Sequence, residues 1–133
     1  MPEEDEIRGI IENMADSFSQ LDLTGWLANF HQPRMIVLPD AAFSPVDVAD
    51  AERLFIPMAE SLRARGFTRS SLDACGVRLL TPLTAIASAT FTRFADDEIL
   101  EELGATYILQ KRDGRWGVLL VTVHGPDISL IQG

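Results

Sequence analysis

Between residues 67 and 124, four runs of strand-forming residues lie at about 68–80, 84–95, 99–112 and 115–124. They are joined only by Thr81-Pro82, Asp96-Asp97 and Asp113-Gly114. Parallel neighbours need a crossover of roughly a dozen residues, so strands this closely linked have to run antiparallel. Asp-Gly between two alternating runs is the strongest of the three turn signals, because both residues tolerate the positive φ of a tight hairpin turn. The second half of the chain is therefore expected to be an antiparallel meander.

The first half has a different period. Ile7, Ile10, Ile11, Met14, Phe18 and Leu21 recur at steps of three and four, which places them on one stripe of a helix. The acids at 3–6 lie in or before its first turn, where the helix dipole favours negative charge. A short second helix is expected after Asp22, with Thr24 as an alternative cap, and it sets Trp26, Leu27 and Phe30 on one side. Pro33 interrupts, and Met35-Ile36-Val37-Leu38 reads as a short buried strand ending at Pro39. Ser44 can cap a third helix that has Pro45 as its first residue, and the apolar period then runs to about Arg65. Gly66 is placed to end that helix, and Pro57 predicts a kink or break near residue 56.

Strand alternation assigns the faces of the sheet. Ala85, Ala87, Ala89, Phe91 and Arg93 share one face of the 84–95 strand, and alanines let a helix approach closely. That face is read as inward, and by the same reasoning Tyr107 points inward from the next strand. The last strand is apolar on both faces, with Trp116, Val118, Leu120, Thr122 and His124 against Leu119, Val121 and Val123. A second cover is then needed. A homodimer packed through the outer sheet face is preferred to a central strand in a larger monomeric core.

Composition narrows the partners. A net charge of −9 over 133 residues disfavours nucleic acid and anionic lipid, which carry phosphate themselves. No apolar run approaches the roughly 20 residues of a membrane span. The acidic start is unlike a signal peptide, and Cys75 is the only cysteine, so a cytoplasmic location is expected. The length fits one domain over 1–133.

The order helix, short helix, strand, long helix and four-stranded meander resembles the nuclear transport factor 2-like superfamily, and within it the SnoaL-like (polyketide cyclase-like) branch. The local carriers are Asn29-Phe30-His31-Gln32-Pro33, Phe91-Thr92-Arg93-Phe94 and Gly104-Ala105-Thr106-Tyr107, with the Asp113-Gly114-Arg115-Trp116 hairpin. The resemblance implies a cone-like α+β fold, with helices packed on a curved antiparallel sheet that is mixed at the first strand. It also implies an apolar pocket at the open end and a homodimer. Function does not follow from this fold, which hosts several chemistries. Steroid-isomerase-like members place an aspartate base just before the first strand. Here that stretch reads His31-Gln32-Pro33, which argues against isomerase chemistry.

Candidate chemistry rests on few residues. His124 could serve as a base, with Tyr107 stabilising a developing oxyanion. Trp26, Phe30, His31, Met58, Phe91, Arg93 and Tyr107 are candidate ligand contacts, and Arg93 could instead pair with Asp96, Asp97 or Glu98. Asp40, after Pro39, reads as a turn residue. No metal-ligand spacing, phosphate loop or nucleophile elbow is present, and no cofactor is expected. The leading expectation is a pocket for a small hydrophobic molecule. The alternatives are a cofactor-independent isomerase, cyclase or dehydratase acting on a hydrophobic carbonyl compound, and an interaction module whose cone is filled by side chains.

Overall fold

The meander predicted from its short connections is present in the computed structural model, which describes residues 2–127. Helix α1 (Pro2–Ser19) and the short α2 (Leu23–Leu27) precede strand β1 (Phe30–Leu38) and a three-residue strand β2 (Ala41–Phe43). Helix α3 (Val48–Ala64) leads into β3 (Arg69–Thr81), β4 (Thr84–Ala95), β5 (Glu98–Arg112) and β6 (Arg115–His124). The six strands form one curved sheet in the order β2-β1-β6-β5-β4-β3. Every pairing is antiparallel except β1 with β6, so the sheet is mixed at its first strand. The result is an α+β cone.

Turn chemistry explains the strand boundaries. Asp113 and Gly114 both take positive φ, 50° and 76°, as a two-residue hairpin requires. Gly66, at φ 83°, follows Arg65, the cap residue of α3, and its amide donates to the Arg63 carbonyl and the Phe67 amide to Leu62. That pair of bonds is a Schellman motif, and it turns Phe67 back against Phe18 of α1 at 5.8 Å between ring centroids.

Three details differ from the expectations. β1 begins at Phe30 and runs through Pro33, because its neighbour β6 continues alongside and the register shifts between Phe30 and Met35. Pro33 sits where that ladder is interrupted, so its missing N–H is tolerated. The cap of α3 is Asp47, whose carboxylate accepts from the Asp50 amide at 2.8 Å; the Ser44 hydroxyl instead donates to the Arg34 carbonyl. α3 runs without a break across Pro57, which lies on its exposed face, where water can satisfy the carbonyl left without a donor.

The core lies between α1, α2, α3 and the inner sheet face. Ala85, Ala87 and Ala89 on β4 are essentially inaccessible, as are Leu109, Val118 and Trp116. One irregularity decides which residues of β6 face in. Ile108 pairs with Leu120 but Leu109 pairs with Val118, so Leu119 is an extra residue. Such a bulge reverses the alternation beyond it. Trp116 and Val118 face inward before it, and Val121 faces inward after it, at 3% exposure. Part of the two-sided apolarity of this strand is therefore the signature of the bulge. Beyond it, Thr122 and His124 face outward.

Candidate functional site

An apolar, partly open cavity of about 130 Å³ lies between the helices and the inner sheet face. Of the nineteen residues lining it, only Ser70, Arg93, Tyr107 and the indole N–H of Trp26 bring polar side-chain groups. All three helices contribute, with Phe18 from α1, Trp26 from α2, and Phe55 and Met58 from α3. The sheet supplies Phe91, Leu103 and Val121 among others. A wall of this kind offers water few partners, so it suits an apolar guest with a few polar contacts.

Tyr107 is 4% exposed. Every fully enclosed side-chain polar atom among the described residues has a hydrogen-bond partner. The Tyr107 hydroxyl takes part in no hydrogen bond among those residues, and Tyr107 lines the cavity. Burial, with a smaller contribution from nearby Cys75, pushes its pKa well above the ordinary phenol value. The group therefore keeps its proton and acts as a neutral donor. Burial likewise raises the Cys75 thiol, which packs against the core from β3.

Arg93 stands at the other end. Its Nη1 donates to Glu101 Oε1 at 2.7 Å, and its guanidinium lies 4.7 Å from the centre of the Phe18 ring. Register explains the partner: Arg93 faces Glu101 directly across β4 and β5, which corrects the expected pairing with Asp96, Asp97 or Glu98. Arg65 reaches the same carboxylate oxygen at 3.5 Å.

Trp26, Met58, Phe91, Arg93 and Tyr107 thus meet in one cavity. Phe30, His31 and His124 do not line it. Phe30 is buried behind Trp26, their ring centroids 4.8 Å apart, and belongs to the core. His31 is buried against β6, where Nε2 donates to the Arg115 carbonyl at 3.0 Å. Nδ1 is then free to accept from the Arg115 guanidinium at 3.4 Å. His124 lies on the outer face as a consequence of the bulge at Leu119. Its Nδ1 faces the Gly125 carbonyl at 2.8 Å and so carries the proton, while Nε2 accepts from Thr106 Oγ1 at 2.8 Å. The expected pairing of His124 with Tyr107 in one site is corrected by this placement: the two occupy opposite faces of the sheet.

Both histidines rest on glycines. A Cβ on Gly104 would lie 2.6 Å from His124 Cε1, and one on Gly117 would strike the His31 ring. These strand-interior glycines are the signal that could have placed the histidines, since glycine inside a strand often marks a close approach. Phe18, Phe55 and Leu103 line the cavity beyond the residues expected from the sequence. Nothing in their spacing separates a cavity wall from a filled core. Among the described residues no group of three or more His, Cys, Asp or Glu side chains could hold a metal ion. No helix among them is long and apolar enough to cross a membrane.

The comparisons with known proteins agree with this architecture. A family profile described as NTF2-like protein (DUF6841) matches residues 4–126. No curated protein matches the chain. Among solved structures, an NTF2-like protein with a cystatin-like fold from Novosphingobium aromaticivorans is similar at TM-score 0.77 and 15% identity, over 95% of this chain and 83% of that one. A protein of unknown function with a cystatin-like fold from Nostoc punctiforme is similar at TM-score 0.74 and 15% identity, over 95% and 93%. Aln2 from a Streptomyces species is similar at TM-score 0.72 and 16% identity, over 92% and 89%. At these identities the structures speak for the fold alone. With three helices on a curved six-stranded sheet and a family match over nearly its whole length, the chain belongs to the NTF2-like protein family DUF6841.

Proposed function

We propose that this chain is a SnoaL-like binding protein that holds a small hydrophobic molecule in the cone, acts as a single-domain homodimer, and works in the cytoplasm. The observation that carries the reading is the apolar cavity itself, in which only four of nineteen lining residues bring a polar side-chain group. Binding is preferred to catalysis because the candidate base, His124, lies across the sheet from Tyr107. It is preferred to a filled interaction module because about 130 Å³ is left unfilled where cores normally close-pack. Pairing through the outer face is supported by half-buried Ile86, Ile108 and Leu120, which sit side by side on β4, β5 and β6.

Xenon tests the reading, since it enters dry apolar cavities of this size. Crystals pressurised with the gas should show a peak among Phe91, Leu103 and Tyr107. An interior that admits no xenon would leave the chain without a binding site there.

A further inference from the structure

We infer that the cavity selects a neutral molecule of about one ring, carrying a single hydrogen-bond acceptor such as a ketone or aldehyde oxygen that takes the Tyr107 hydroxyl hydrogen. This rests on the binding reading above and specifies its ligand class.

Size sets the first limit. An apolar cavity of about 150 Å³ accommodates benzene, and drug-sized ligands need about 300 Å³ or more. The sheltered part of this cavity, about 130 Å³, matches one ring and a short substituent. The polar groups set the second. Tyr107 is the deeply buried one, it lines the cavity, and its hydroxyl takes part in none of the side-chain hydrogen bonds among the described residues. A ligand offering that hydroxyl nothing would leave the donor without a bond in an apolar wall, which is costly. An acceptor on the ligand satisfies it.

Arg93 does not change the sign of the preferred ligand. Its charge is met by Glu101 at 2.7 Å, and Phe18 covers one side of the guanidinium. Glu101 is six residues from Tyr107 along β5, roughly 20 Å of extended strand. The guanidinium lines the same cavity as the phenol, but its charge is already paired with Glu101, so it does not call for an anionic guest. Ser70 stands opposite Arg93 in the β3–β4 register. The donor at Tyr107 is neutral, and the guest it favours is neutral too.

The test compares four probes by calorimetry on the intact protein: acetophenone, ethylbenzene as its near-isostere without an acceptor, benzoate as an anion, and acetonaphthone as a two-ring ketone. Acetophenone should bind about 2- to 10-fold more tightly than ethylbenzene, the range expected for one net hydrogen bond. That preference should vanish in Tyr107→Phe, whose folding is checked by its thermal midpoint. Benzoate and acetonaphthone should bind more weakly than acetophenone. Equal affinities for acetophenone and ethylbenzene in the wild-type protein would overturn the acceptor, yet leave an apolar pocket standing. Tighter binding of benzoate or acetonaphthone would overturn the neutral charge or the size limit. If none of the four binds and xenon is also excluded, the binding reading falls along with this one.

Discussion

His31 and Gly117 show how one missing methyl group sets a contact between strands. The imidazole of His31 lies where a Cβ on Gly117 would be, and it links β1 to β6 through the Arg115 carbonyl. Gly117→Ala should therefore destabilise the fold by about 1–3 kcal/mol, the usual cost of forcing atoms into a packed site. His31 removed first, in the His31→Ala background, should leave most of that cost absent, because the clash has lost its partner. Urea unfolding of the two single variants and the double variant measures the coupling. Additive losses would mean that the alanine is harmful for a reason unrelated to the ring. The same logic separates the two histidines from the cavity: each is held by a carbonyl and a glycine, and neither is aimed inward.

At the scale of elements, α1 is tied to the far end of the sheet by its first turn. Glu3 accepts from Lys111 Nζ at 3.0 Å and from Trp116 Nε1 at 2.6 Å. Its place in the first turn suits the helix dipole, and its carboxylate also bridges β5 and β6. The Lys111 hydrogen bond, then that of Trp116, hold the Glu3 pKa below its ordinary 4.5. A carboxylate whose folded pKa is depressed gives stability that is present above the unfolded value and is lost as pH falls through the folded one. The contribution should accordingly be complete above about pH 5 and fade below 4.5. Thermal midpoints followed from pH 6 to about pH 3 should fall less steeply in Glu3→Gln than in the wild-type chain. Parallel curves would show that the contacts of Glu3 add nothing to folding.

For the whole molecule, the proposed dimer has a charge problem that also makes it testable. Each chain carries −9, so two copies repel and association should strengthen as salt screens them. Sedimentation should find a species of twice 14.7 kDa at about 0.15 M salt. Leu120→Lys, on the outer face of β6, should return it to 14.7 kDa without loss of secondary structure. A wild-type chain that stays at the lower mass at all salt concentrations would remove the dimer.

Local chemistry was enough to determine the meander, the hairpin at Asp113-Gly114, the end of α3 at Gly66 and the inward alanine face of β4. Each depends on residues adjacent in sequence, on turn φ values or on a period of two, and these act before any distant contact forms. The inward position of Tyr107 followed from the same alternation. Tertiary structure decided the rest. β1 extends back through Pro33 only because β6 lies beside it in parallel. The extra residue at Leu119 turns His124 away from the cavity, and a bulge depends on how two strands pair rather than on either strand alone. Glu101 meets Arg93 only once the β4–β5 register exists. The cavity itself is what remains when three helices and the sheet fail to fill the space between them. No single segment carries that volume, so it could be expected from the resemblance but not measured from the sequence.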